Sequence, residues 1–296
     1  SQHESIQLSA DGHSLTLDGR VDNRSGAHPG MTFQARWQIR PEGGRVTAEN
    51  GQLKVADADA VVILMAGATD YQLNYPDYRG APPAPRNQRA LQAVAGKSYP
   101  RLLADHQRDY ASLFERVHLD LGQPSRTDLP TDQRLRAYKK ERNDRGLEAL
   151  VYQFGRYLMI ASSRPGGLPA NLQGLWNNSN DPPWNGDYHL NINMQMNYWP
   201  VHSANLSECA IPLLEWTRDL AQAGAKTARV QYGTRGWTAH HTANVWGFTS
   251  AGPARGIHML EAESGAFLCQ NIWDIFAYTR DRQLLAEQIW PLLKGA

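Results

Sequence analysis

The stretch from residue 177 to residue 200 reads NNSNDPPWNGDYHLNINMQMNYWP. It holds seven asparagines and two tryptophans, and its only acids are Asp181 and Asp187. Segments with helical periodicity lie on both sides of it. A connection this long inside a compact domain is usually functional. Together with the shorter connections elsewhere in the chain, this long stretch predicts a ring of paired helices. The site of that ring would lie on the face of the long loops.

Apolar residues recur at helical spacing around this stretch. The stripes run over residues 145–161, 205–224 and 265–279, and a fourth run follows at 283–296. A further helix-like segment at 98–122 precedes a polar loop with two prolines. These patterns predict a helical linker over residues 98–130 and a helical domain over residues 131–296.

The first 97 residues have a different pattern. Apolar residues alternate with a period of two, as at Ile6 and Leu8 and again at Leu15 and Leu17. Short turn sequences such as ADG and ENG separate these segments. We therefore predict an α+β protein of more than one domain, with an antiparallel β-sandwich portion over residues 1–97.

The composition argues against several classes of protein. The 296 residues carry a formal net charge of +1 without clusters of Lys and Arg, so we expect no nucleic-acid partner and no membrane partner. No apolar run reaches the roughly 18 residues of a membrane span. Cys209 and Cys269 are interpreted as buried small hydrophobes, although a single bridge between them stays open.

Tryptophans and histidines in the long loops are candidate ligand contacts. A loop tryptophan either fills the loop or offers a flat apolar face to a ligand, and a sugar suits such a face. The adjacent histidines lack the Cys or acidic partners of a metal site, so we predict no metal and no cofactor. They either bind sugar hydroxyls or only stabilise their loop. The predicted substrate-binding residues of this group are Trp176, Trp184, Trp237, Trp246, His240 and His241.

Asn191 and Asn193 are the candidate catalytic residues. If their segment is extended, both side chains share a face. An amide cannot take a proton at neutral pH, but its oxygen can orient a water whose proton goes to another group. That interpretation requires a carboxylate elsewhere. The alternative is that these asparagines only brace an irregular loop, as asparagines commonly do.

The segments LPANLQGLWN at 168–177, HLNINMQMNYWP at 189–200 and HHTANVWGFTS at 240–250 closely resemble glycoside hydrolase family 95. Its members are inverting α-L-fucosidases, and some act on α-L-galactosides. The resemblance implies an N-terminal β-sandwich, a helical linker and an (α/α)6 barrel. It also implies that a glutamic acid protonates the leaving oxygen, while an aspartate and two asparagines activate the water. The asparagine pair corresponds to Asn191 and Asn193.

The resemblance implies a substrate as well. His189 would lie near C6 of the sugar and favour the methyl group of L-fucose over the hydroxymethyl group of L-galactose. We expect a fucosylated oligosaccharide or xyloglucan, with an α-1,2 linkage, and a bacterial periplasmic or extracellular location. The alternatives are an α-L-galactosidase of the same family and a catalytically silent carbohydrate-binding protein.

The acid and the base of the family lie downstream of the asparagine pair, in a part of the domain that this chain does not match. The acid follows a SPEN-like segment, and no such segment occurs here. Glu261 and Glu263 have no family counterpart and are interpreted as helix N-terminal acids. We therefore expect an incomplete barrel that is inactive alone and whose partner is the remainder of its own catalytic domain.

Overall fold

The computed structural model describes residues 3–21, 30–179, 181–251 and 261–296. The chain forms two compact units, residues 1–107 and 108–296, and the boundary falls within helix α2 (Tyr99–Phe114). None of the helices in the described ranges is long and apolar enough to span a membrane.

In the described part of the N-terminal unit, six strands pair antiparallel. They are β1 (His3–Asp11), β2 (Ser14–Val21), β3 (Thr32–Glu42), β4 (Arg45–Glu49), β5 (Gln52–Ala56) and β6 (Ala60–Thr69). Strands β1, β2, β3 and β6 form one sheet in that order, and β4 and β5 form a separate hairpin. Asn50 and Gly51 join the hairpin with φ of 50° and 71°, the left-handed conformation that an Asn-Gly turn adopts. The predicted antiparallel β architecture is confirmed.

Helix α1 (Pro83–Ala93) packs against β3 and β6. Asn87 is buried, and its side-chain amide donates to the carbonyl oxygen of Gln34 at 2.9 Å. This helix was not predicted from the sequence, because APPAPR at 81–86 is typical of a loop. Proline at the first helical position is nevertheless compatible with a helix, since the missing N–H has no intrahelical partner there.

The second unit is helical. After α2 it contains α3 (Thr131–Glu141), α4 (Arg145–Ser162), α5 (Asn193–Tyr198), α6 (Pro200–Ser203), α7 (Ile211–Tyr232), α8 (Ser264–Thr279), α9 (Arg282–Leu284) and α10 (Trp290–Gly295). The predicted helices at 145–161 and 265–279 are confirmed as α4 and α8. The stripe at 205–224 begins as a 3₁₀ turn and continues as α7, which ends where Gly233 adopts a left-handed conformation. Cys209 and Cys269 are buried, as predicted, and the bridge between them that the sequence left open does not form.

Arg156 links α4 to the C-terminal ends of α2 and α6. It lies in α4 with 2% of its surface exposed. Its guanidinium donates to the carbonyl oxygens of Leu113 and Phe114 in the last turn of α2, at 2.9 and 2.6 Å. It also donates to the carbonyl oxygen of Ala204 after α6, at 3.2 Å. These carbonyls are helix-end acceptors that lack intrahelical partners.

Arg134 and Asp144 form a buried ion pair between α3 and α4. Two guanidinium nitrogens of Arg134 donate to the two carboxylate oxygens of Asp144 at 2.9 and 2.8 Å. The Asp144 side chain is 2% exposed and also accepts from the backbone N–H of Leu147, so it caps α4. The Arg134 guanidinium holds the pKa of the Asp144 carboxyl well below its usual range.

Asp144→Asn is expected to lower the melting temperature by several degrees at neutral pH. Because the pKa of Asp144 is lower in the folded state, the pair stabilises the fold above the unfolded-state pKa of about 4 and loses this effect as the pH falls. Wild type and variant should therefore converge in thermal melts on acidification. Glu141→Gln removes an exposed partner of Arg126 and should change little. Equal melting temperatures at neutral pH would contradict the prediction.

Candidate active site

Two long loops of the helical unit meet through a short antiparallel pairing. Strand β7 (Tyr188–His189) pairs with β8 (Thr242–Ala243), with His189 opposite Thr242. The backbone N–H of Leu190 extends the contact by donating to the carbonyl oxygen of His241 at 2.7 Å. The pairing thus brings the asparagine-rich loop and the histidine-containing loop together, although about 50 residues separate them in sequence.

Buried amides brace the asparagine-rich loop from behind. Gln195 in α5 is fully buried, and its side-chain amide donates to the carbonyl oxygen of Leu190 at 2.6 Å. Asn271 in α8 donates to the carbonyl oxygen of Gln195 at 3.1 Å. The backbone immediately before Asn191 is therefore fixed to α5, which α8 in turn holds in place.

Two buried tyrosines hold the LPAN segment beside this loop. The hydroxyl of Tyr188 donates to the carbonyl oxygen of Pro169 at 3.0 Å. The hydroxyl of Tyr198 accepts from the backbone N–H of Ala170 at 2.9 Å and pairs with the hydroxyl of Ser163 at 2.8 Å. Burial raises the pKa of Tyr198 to about 12, so the phenol stays protonated at physiological pH.

The two candidate catalytic asparagines lie on either side of the turn into α5. Asn191 is half-buried, and its carbonyl oxygen Oδ1 is buried without a hydrogen-bond partner among the described residues. Asn193 is the first residue of α5 and is exposed. Since a buried amide oxygen normally has a partner, Oδ1 of Asn191 is a position where a ligand or water is expected to bind.

Two acid–histidine pairs lie next to Asn191. Nδ1 of His189 lies 2.8 Å from Oδ1 of Asp187, and both side chains are 13% exposed. Nδ1 of His241 lies 3.4 Å from Oε2 of Glu261. The two imidazole rings meet edge to face with centroids 5.0 Å apart. Burial raises the pKa of Asp187, and the neighbouring His189 and His241 oppose that shift.

In the sequence, Asp187 is recognised only as one of the two acids of residues 177–200. The contact with His189 depends on the pairing of β7 with β8, which the sequence alone does not show. The two-residue spacing from Asp187 to His189 is the one local signal, because it places both side chains on one face of an extended segment. No group of three or more metal-ligating side chains occurs among the described residues.

The structure corrects two predicted substrate contacts, Trp237 and His240. Trp237 is 7% exposed, and its indole N–H donates to the carbonyl oxygen of Leu292 at 3.0 Å, so it packs in the core. His240 is 1% exposed, and its ring nitrogens pair with the carbonyl oxygen of Thr249 and the hydroxyl of Tyr232 at 2.7 and 2.6 Å. Neither ring has a face or a nitrogen left for a ligand.

Three other loop aromatics remain candidate contacts. Trp176 and Trp184 are 82% and 70% exposed, and Trp246 is partly buried. Trp184 has φ of 50°, an uncommon conformation for a bulky residue. The sequence predicted these side chains to meet a sugar, and that role stays a prediction.

The helical unit also contains a cavity of about 780 Å³. Its walls are mostly apolar side chains of α4 and of the segment 170–176, including Leu158, Leu175 and Trp176. Asn191, Asn193 and His189 do not line it. Because the candidate catalytic asparagines lie outside this cavity, it is not the candidate active site.

Comparison with sequence families gives two matches. The glycosyl hydrolase family 95 catalytic domain matches residues 98–296. The N-terminal domain of glycosyl hydrolase family 65 matches residues 1–74.

Curated relatives agree with the first match. Alpha-L-fucosidase 2 of Arabidopsis thaliana is 39% identical over 277 residues, which cover 90% of this chain and 33% of the relative. Probable alpha-fucosidase A of Aspergillus niger is 34% identical over 304 residues, covering 98% of this chain and 37% of the relative. The chain therefore spans about a third of the length of these relatives.

A solved structure supports the fold. A putative kojibiose phosphorylase from the human microbiome superposes with a TM-score of 0.60 over 96% of this chain and 34% of that one, at 11% identity. A similarity at this identity concerns the fold alone. The family model and the curated relatives place the chain among the glycoside hydrolase families. The chain belongs to glycoside hydrolase family 95.

Proposed function

We propose that this chain is part of an inverting α-L-fucosidase that removes terminal α-L-fucosyl residues, α-1,2-linked, from oligosaccharides or xyloglucan. The observation that carries the proposal is the buried, unpartnered carbonyl oxygen of Asn191 beside two acid–histidine pairs. The fucosidase names of the curated relatives support the choice of sugar.

The asparagines would orient the attacking water. The side-chain oxygens of Asn191 and Asn193 accept hydrogen bonds from that water. Neither oxygen can remove its proton. Inversion requires a carboxylate base on the water side and a carboxylic acid at the leaving oxygen, about 6.5–9.5 Å apart. We propose that both carboxyl groups come from the part of the family domain that this chain does not match.

The proposed partner is that remaining part of the catalytic domain. Helix α4 exposes one continuous apolar stripe, whose members lie one, four, seven and eight residues after its first member. Each of these residues has 42–61% of its surface exposed. Its members are Leu150, Val151, Phe154, Tyr157 and Leu158. Such spacing fits the face of a packed helix. This chain spans about a third of its relatives' length, and we propose that further helices of the same domain cover this stripe.

The 296 residues alone are expected to show no hydrolysis of an aryl α-L-fucoside, whereas the protein of full family length is expected to hydrolyse it. The reason is that the fragment lacks the proposed pair of carboxyl groups. Release of the aryl group is measured for both proteins against a buffer blank, and the anomer of the released sugar is followed by NMR.

Each outcome distinguishes a specific alternative. Turnover by the fragment would move the catalytic role to Asp187, Glu261 or Glu263. Faster turnover of the aryl α-L-galactoside by the full-length protein would favour the galactosidase. Sugar binding without turnover of either glycoside would favour a silent binding protein.

A further inference from the structure

Asp187 and His189 form a contact that the proposed chemistry does not use. Oδ1 of Asp187 and Nδ1 of His189 are both buried and lie 2.8 Å apart, although the ring N–H is not aimed along the line between them. Only Nδ1 of the two ring nitrogens is among the buried, unpartnered atoms of the described residues. No hydrogen bond joins Nε2 to a described residue, so Nε2 is the nitrogen left for a ligand.

We propose that Asp187 is a positioning residue that keeps the proton of His189 on Nδ1 and so presents Nε2 as a hydrogen-bond acceptor to a ring hydroxyl of the sugar. A lone pair on Nδ1 facing the carboxylate would be repelled, whereas an N–H there is attracted. A rotation of the ring within its broad χ2 range would align the N–H with the oxygen. The partner of one ring nitrogen commonly fixes the role of the other in this way.

The surrounding groups favour this arrangement. His241 packs edge to face on His189 with centroids 5.0 Å apart, so the ring is supported on one side. Glu261 lies 3.4 Å from Nδ1 of His241 and therefore belongs to the second histidine. Asp187 is the one acid among the described residues in ion-pair contact with His189.

The consequence for the reaction rests on the proposed function. His189 is the last residue of β7, and Asn191 follows two residues later in the turn before α5. A hydroxyl held by Nε2 would then fix the sugar relative to the water held by Asn191. Without Asp187, His189 would sample the other tautomer and ring orientation. We expect Asp187→Asn to lower kcat/KM of the full-length protein by roughly 10–100-fold, the range found when a metal-binding histidine loses the group that orients it.

The direct test needs no activity. The 296-residue chain is labelled with ¹⁵N-histidine, and the protonated nitrogen of neutral His189 is read from its ¹⁵N shifts, assigned with His189→Gln. In the wild type we expect the proton on Nδ1. In Asp187→Asn, which has the same shape, the tautomer ratio should shift toward Nε2–H by about tenfold, because a charged acceptor binds the N–H more strongly than an amide oxygen.

Glu261→Gln is the matched control, since it changes the acid beside His241 and should leave the tautomer of His189 unchanged. A proton on Nε2 in the wild type, or an unchanged ratio in Asp187→Asn, would overturn the proposal. If Asp187→Asn does not fold, Asp187→Glu replaces it and should retain the Nδ1–H tautomer, and loss of that tautomer would count against the role. Because the spectra are recorded without sugar, a failed fucosidase assay would not change the tautomer result. A failed tautomer test would likewise leave the proposed fucosidase function untouched.

Discussion

Asn193→Ala is expected to lower kcat for an aryl α-L-fucoside by about 10²-fold or more in the protein of full family length. The side-chain oxygen would be removed from the attacking water, and losing one preorganised hydrogen-bond group of this kind typically costs about that much. Asn191→Ala should have an effect of the same size, because its buried Oδ1 has no other partner among the described residues. The variants are compared by steady-state kinetics.

The loss is expected in kcat rather than in stability. Asn193 is the exposed first residue of α5, and alanine is the best helix former, so the substitution leaves the fold intact. Asn178→Ala is the matched control, since Asn178 is an exposed asparagine of the same stretch with no predicted catalytic role. Unchanged kcat in both Asn191→Ala and Asn193→Ala would show that these amides only brace the loop.

Helical periodicity predicted the frame of the second unit. The stripes that became α4 and α8 are long and strongly periodic, and burial of one face is what forms such helices. Helix α1 was missed because prolines at its start resemble a loop, although they are tolerated in the first helical turn. The extent of α7 was underestimated, because polar residues such as Arg229 and Gln231 continue it to Tyr232.

The sequence predicted the amide pair but not its surroundings. The spacing of Asn191 and Asn193 is local, so it is visible in the sequence. The contacts of Asp187 with His189 and of His241 with Glu261 depend on which loops pair, which is a property of the tertiary structure. Their identification required the pairing of β7 with β8.

Loop composition alone misassigned Trp237. A tryptophan among glycines looks the same in sequence whether it fills a core or meets a ligand. In the fold, glycines make room for the indole, and a Cβ on Gly265 would lie 2.8 Å from the Trp237 ring. Gly224 is close in the same way, with 3.2 Å to the ring. Gly224 lies in α7 and Gly265 lies in α8. The ring is buried against both helices, so its role is packing.

Arg156→Met is expected to destabilise the helical unit by about 3–5 kcal/mol, the largest stability effect we predict, because each buried acceptor left without a donor costs about 1–3 kcal/mol. The guanidinium is buried, and its hydrogen bonds serve carbonyl oxygens at the ends of α2 and α6. A positive charge is favoured at these helix C-termini, and its removal leaves several buried acceptors without a donor. Methionine fills a similar volume, so the loss would reflect the hydrogen bonds rather than a cavity.

The measurement is urea denaturation of the 296-residue chain, followed by circular dichroism. Arg116→Met is the matched control, because Arg116 is about one-third exposed and its ion pair with Glu208 should contribute at most about 1 kcal/mol. Arg156→Lys should fall between wild type and Arg156→Met, since an ammonium group keeps the charge but cannot reach carbonyls of two helices at once. A loss for Arg156→Met no larger than that for Arg116→Met would mean that water replaces the guanidinium, and that this side chain does not join the helix ends.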